Sequence, residues 1–411
     1  MTPGSNVGPT RVVVVGASAA GLAVAEAARG QGYRGELTLI GDDPHLPYDR
    51  PPLSKQLLTG DWPPERLVLR EQAHLDELGM TMRLGQPASG LDADSHEVVL
   101  ADGDRIPYDA LVVTTGVRAR RLPGSEGISG VHVLRALPDA LALRAELTPG
   151  RRLVVLGAGV LGAEAAAVAR GLGAEVTVID PLDWPLARIV NREIGDWLTD
   201  IHREHGVDLR LSSAPVTAIR ATDGRAEAVE LADGTVLPAD TVLVAIGATP
   251  AVQWLAGSPI VIGGREPATG SGGVLCDPRG QAAPGSYAAG DVAAWQDPST
   301  GEHRRYEHRL NATEQGRAVA RALLDPQFTP PLSVPYFWSD QYDLKLQTFG
   351  TLDADDEFTV VDGSLDARRF IGVSHRDGLV RGALGVGMPR QLRGWRTAVA
   401  DRAPWKETTP A

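Results

Sequence analysis

At 411 residues the chain exceeds what one hydrophobic core holds, and 43% hydrophobic with 22% charged residues is ordinary for a folded globular protein of two or three domains. A net charge of −12 with only 5% aromatic residues excludes general affinity for DNA or RNA and argues against a base-stacking surface. The single cysteine, Cys276, cannot form an internal disulfide, and neither a signal-type start nor an apolar run near twenty residues is present, so a soluble cytoplasmic chain without a membrane partner is expected.

Residues 1–10, MTPGSNVGPT, read as a disordered tail. The β-branched run RVVVV then leads into GASAAG, which puts Gly16, Ser18 and Gly21 at the GxGxxG positions, with Ala20 as a further cofactor contact, at the start of an alanine-rich helix, and the following strand LTLIGDD ends at Asp42. This arrangement binds a dinucleotide: free amides and the dipole of a helix N-terminus hold the pyrophosphate, glycine allows close approach, and the acid takes a ribose. Residues 98–116 read as a hairpin with a DG turn at Asp102, then a buried strand ending at Thr115 and Gly116. A connecting strand and helix span 117–150. The glycine signature then recurs in LVVLGAGVLG, with Gly157, Gly159 and Gly162, and the next strand closes at Asp180.

Asp180 would repel a 2′-phosphate, and Pro181 and Leu182 stand where an NADP site wants Arg or Lys, so NADH is favoured over NADPH. VELADGTVLPADTVLVAIG, ending at Gly247, mirrors 98–116 with its DG turn at Asp233, as duplication of one module would leave it. Gly- and Pro-rich sequence covers 248–285, AAGDV follows with Gly290 and Asp291, and strand-like sequence begins near 327. Two dinucleotide units imply two bound dinucleotides, most simply with electrons moving between them. The predicted fold is α/β: two interleaved Rossmann-like domains, 1–115 with 248–326 for one dinucleotide and 116–247 for the other, and a small C-terminal α/β domain over 327–411.

The series GASAAG, PYDRPPLSK (47–55), TTG, GAGVLGAE, AIGATP, AAGDV, NATEQG and FWSDQYD (337–343) resembles the FAD-dependent NAD(P)H ferredoxin reductases that serve oxygenases and cytochromes P450, over nearly the whole chain. The resemblance implies a glutathione reductase-like fold, FAD and NADH as cofactors, no metal, and a ferredoxin as partner. It implies that Asp42 binds the FAD ribose, that Lys55 lies near the flavin ring, and that Glu164 pairs with Lys55. It makes Arg135 an FAD contact, puts Asp291 on the ribityl chain, and brings Glu307 and Trp338 to the flavin region. Arg50, Ala88, Thr115, Gly116, Gly247 and Gly290 join the expected cofactor contacts. Each residue also has a plainer reading: Lys55 as a solvated lysine, Glu164 as an exposed helix residue, Trp338 as core, Asp291 as a helix cap and Cys276 as a packed side chain.

The chain departs from the family pattern at His308 and Arg309, where relatives carry an aromatic, at Val160 for a usual tyrosine, and at Ala251 for a usual asparagine. With no cysteine before 276, the flavin is expected to receive hydride from NADH and hand electrons one at a time directly to ferredoxin. Eight arginines against three aspartates over 366–402, with Arg390, Arg393 and Arg396 at helical spacing, suggest that this region, with Arg304 and Arg305, docks an acidic ferredoxin. The alternatives are an NADH oxidase, a rubredoxin reductase, or a redox-responsive interaction protein resembling apoptosis-inducing factor. Monomer and homodimer both stay open.

Overall fold

The computed structural model describes residues 8–263, 272–331 and 333–407, so positions 1–7 of the expected tail lie outside it. The chain divides into two units. The first comprises Met1–Asp49, Leu67–Arg118 and Thr249–Ser333; the second comprises Arg50–Arg66, Ala119–Ala248 and Val334–Ala411.

At the centre of the first unit, strand Arg11–Val15 pairs in parallel with Glu36–Ile40 on one side and Ala110–Val113 on the other. A central parallel strand is covered on both faces, which is why its sequence is an unbroken apolar run. Alternation sends its side chains both ways. Val12 and Val14 meet Val24, Ala28 and Val319 from helices Ala19–Gly30 and Arg309–Leu324, while Val13 and Val15 join a core with Val98 and Leu100 of the predicted hairpin.

The second unit repeats the plan. Strand Arg152–Leu156 lies between Glu175–Ile179 and Thr241–Val244, again all parallel. The hairpin Arg225–Leu231 with Val236–Pro238 precedes the strand Thr241–Val244 just as Glu97–Leu100 with Arg105–Pro107 precedes Ala110–Val113, as the internal repeat predicts. Residues 336–386 add a five-stranded antiparallel sheet. Its one face buries Leu392, Trp395 and Val399 of helix Pro389–Ala400, and the other buries Phe337, Leu346 and Phe370 against Ile194 and Leu198.

This grouping differs from the expected boundaries, since Arg50–Arg66 falls within the second unit and not with the rest of 1–115. The cause is local: Ser54 and Lys55 bond the buried carboxylate of Glu164. Among the described residues no helix is long and apolar enough to cross a membrane, and no cluster of His, Cys, Asp or Glu could hold a metal ion.

Candidate active site

In the first unit the glycine turn is fixed by backbone approach. Gly16 has φ +121°, and a Cβ there would stand 2.1 Å from the Thr114 carbonyl oxygen; one on Gly21 would stand 2.1 Å from the Gly16 carbonyl oxygen. Only glycine fits such geometry. The helix that follows starts at Ala19, with Ser18 in the N-cap position making no side-chain cap, so its first amides face outward without an internal acceptor. Buried Ala20 abuts Gly290, whose amide donates to Gln315 Oε1 at 2.9 Å. One turn earlier on the same helix, Asn311 Oδ1 is buried with no partner. A buried acceptor left empty costs about 1–3 kcal/mol, so this atom fits a ligand donor.

Around this turn, Asp42 is exposed at the end of its strand, Thr115 Oγ1 donates to Ala251 O at 2.8 Å, Gly116 takes φ +68°, and Ala88 is partly buried against the core. Asp43, next to Asp42, accepts from Tyr48 at 2.7 Å and His45 at 2.6 Å. Burial alone would raise the Asp43 pKa, but those hydrogen bonds hold it below the usual range. Arg305 donates to the Asp291 carbonyl and pairs with Glu307 at 2.6 Å. Arg305 is therefore not a surface charge for docking: its side chain is 9% exposed, which corrects the expectation for this residue. Arg309, one of the departures, bonds Asp49 Oδ1 at 2.5 Å and also Thr313. Burial pushes the His308 pKa down while the Asp291 charge pulls it up.

The second unit holds the matching turn. Gly157 has φ +106°, and a Cβ on Gly162 would lie 1.9 Å from the Gly157 carbonyl oxygen, whereas one on Gly159 would meet open space. Gly159 is the N-cap of helix Val160–Gly171 and, like Ser18, leaves the helix start without a side-chain cap. Asp180 is buried and accepts the Ala158 amide at 2.6 Å on one oxygen and the Leu182 amide at 2.8 Å on the other, so it braces the turn. Gly247 has φ +93°, which glycine tolerates, and accepts from the Arg120 amide.

The same unit carries the predicted lysine–glutamate pair, and neither residue is solvated: Lys55 is 8% and Glu164 2% exposed. Lys55 Nζ lies 2.7 Å from Glu164 Oε2, which also accepts from Ser54 Oγ at 2.6 Å. The other oxygen, Oε1, accepts from Ser339 Oγ at 2.9 Å and the Asp340 amide at 3.2 Å. Two charges taken from water persist only when paired and hydrogen-bonded; here the carboxylate takes four donors and Lys55 Nζ also donates to the Pro51 carbonyl at 3.3 Å. Arg50 Nη1 donates to the Arg135 carbonyl at 2.7 Å. Trp338 is half-buried, on the strand face opposite Phe337 and Ser339, with Tyr336 5.9 Å away. Cys276 is buried, and burial raises its thiol pKa far above the usual range.

Residues 10–316 match the family described as pyridine nucleotide-disulphide oxidoreductase, and residues 336–411 match one described as reductase C-terminal. The chain belongs to the pyridine nucleotide-disulphide oxidoreductase family. Rhodocoxin reductase of Rhodococcus erythropolis is 37% identical over 96% of this chain and 90% of its own length. A ferredoxin–NAD(P)(+) reductase of a Sphingomonas species is 39% identical over 90% and 87%. Among solved structures, the covalent putidaredoxin reductase–putidaredoxin complex superposes with a TM-score of 0.89 at 31% identity, covering 96% of this chain and 94% of that one. Membership in the pyridine nucleotide-disulphide oxidoreductases brings FAD and NAD(H) as cofactors, and the two uncapped helix starts, the crowded glycines and the orphaned Asn311 oxygen fit them. Disulphide chemistry is a different matter, because the one thiol is buried.

The sequence reading missed Ser54, Ser339, Gln341, Asn311 and Gln315. One signal was present: strand alternation puts Ser339 and Gln341 on the same face as Phe337, so polar residues were due at buried positions.

Proposed function

We propose that the chain is an NADH-dependent ferredoxin reductase that passes electrons through bound FAD to a ferredoxin supplying an oxygenase, a cytochrome P450 or a dioxygenase. One observation carries the reading within this family: the only cysteine is buried and kept protonated, so electrons have no thiol relay and leave the flavin directly. The likeness to ferredoxin reductases along nearly the full chain supports it.

The chemistry that FAD supplies when bound is acceptance of an electron pair from NADH and its release as single electrons. Gly16, Ser18, Gly21, Asp42, Thr115 and Asp291 would hold FAD, and Gly157, Gly159, Gly162, Asp180 and Gly247 would hold NADH. The Asp180 carboxyl, beside the turn it braces, disfavours a 2′-phosphate and so selects NADH. Lys55, immobilised by Glu164, presents a fixed positive charge that stabilises the negative charge reduction brings. For the partner, helix Pro389–Ala400 exposes Arg390, Arg393 and Arg396 while burying Leu392, Trp395 and Val399, and this basic stripe suits an acidic ferredoxin. We place the protein in the cytoplasm.

The test is steady-state reduction of purified [2Fe–2S] ferredoxins with NADH and NADPH side by side. Ferredoxin reduction that is faster with NADH supports the reading. Consumption of NADH with oxygen as the only acceptor would replace it with an oxidase.

A further inference from the structure

The charge on Glu164 fixes the protons of a buried chain of side chains running away from it within the second unit. A carboxylate only accepts, so the Ser339 hydroxyl, 2.9 Å from Oε1, must donate to it. Ser339 Oγ then accepts from Gln341 Nε2 at 3.1 Å, which turns the Gln341 carbonyl toward His202. His202 Nε2 lies 2.9 Å from that oxygen and must carry the hydrogen; its Nδ1 is left bare and takes the Tyr342 hydroxyl at 2.8 Å. Every donor points toward Glu164, and aligned hydrogen bonds polarise one another.

Two further observations show that the chain is held in place. Ser339, Gln341 and His202 are each 1% exposed or less, and burial drops His202 to a pKa of about 4, so it remains the neutral imidazole the chain requires. Tyr342 occupies a two-residue turn between paired Gln341 and Leu344 with φ +55°, a conformation disfavoured for a bulky residue. Its ring is nonetheless fixed there, stacked on His205 at 3.7 Å with its hydroxyl on His202.

We propose that Gln341 and His202, with Ser339 and Tyr342, are positioning residues that hold the Glu164 carboxylate in one orientation and thereby place the Lys55 ammonium for electron transfer. Their role in turnover rests on the reductase reading; their proton arrangement does not.

The test combines two readouts on FAD-loaded protein. Long-range nitrogen–proton NMR on histidine-labelled protein should show His202 as the Nε2–H tautomer in the wild type, and a mixture of tautomers in Gln341→Leu. The Nδ1–H tautomer in the wild type would overturn the proposal. In NADH-dependent ferricyanide reduction, Gln341→Leu should lower kcat about tenfold or more, with KM for NADH unchanged, since small misplacements of a reacting group can cost up to about 100-fold. Because Gln341 acts through Lys55, Lys55→Met/Gln341→Leu should be no slower than Lys55→Met alone, and multiplied losses would refute this. Tyr342→Phe removes only the half-exposed end and keeps the test alive if Gln341→Leu fails to fold: His202 should stay the Nε2–H tautomer, because Gln341 sets it, while kcat falls by a smaller factor, and loss of that tautomer would count against the chain. A wild type that fixes the tautomer but does not oxidise NADH would overturn the functional reading alone.

Discussion

Glu164 shows how one side chain decides between a solvated and a built site. Its carboxylate takes four donors from two separate stretches of chain, one of them the Lys55 ammonium. Replacing it with alanine leaves a buried cation without its partner, which typically costs about 3–5 kcal/mol. Glu164→Ala should therefore lower the unfolding free energy from urea titration by that much, and a loss under about 1 kcal/mol would mean that the pair is not buried in solution. His202 gives a second residue-scale test through pH. Its folded pKa of about 4 lies below the unfolded value near 6.5, so the unfolded chain binds the extra proton first. Its stabilising contribution is whole above pH 6.5 and is lost as pH falls toward 4, by about 3 kcal/mol in total. Urea titrations across that range should show the slope in the wild type and a shallower one in His202→Asn; identical slopes would contradict it.

At the scale of elements, the two glycine turns separate packing from binding. A Cβ at Gly162 meets a backbone oxygen at 1.9 Å, while one at Gly159 meets nothing. Gly162→Ala should cost about 1–3 kcal/mol or more by thermal unfolding. Gly159→Ala should stay within about 0.5 kcal/mol yet raise KM for NADH, because its methyl group occupies the open space above the turn. A destabilised Gly159→Ala with normal KM would reverse the assignment. These turns were legible in the sequence because glycine spacing, β-branched strands and DG turns are local signals, and so was the repeated hairpin. The placement of 50–66 and the donors to Glu164 were not. Ser54 and Ser339 stand 110 and 175 positions from Glu164, and no local pattern joins them. Arg305 misled for the same reason: its charge reads as a surface one until the fold brings the Asp291 carbonyl to it.

For the whole molecule, a net charge of −12 opposes an acidic partner, so the docking proposed on helix Pro389–Ala400 requires attraction from its exposed arginines alone. Arg393→Glu/Arg396→Glu should raise KM for ferredoxin while leaving NADH–ferricyanide activity unchanged, and equal loss of both would discard this docking surface. In the proposed reaction, electrons pass from NADH through the flavin to an external one-electron acceptor, with no thiol between. Anaerobic titration of the FAD-loaded protein with NADH, followed by oxidised ferredoxin, reads this directly. The expected result is rapid bleaching of the flavin without loss of a free thiol, then recovery of its colour as two ferredoxins are reduced per NADH. Slow bleaching, or a reduced flavin that ferredoxin leaves untouched, would contradict it.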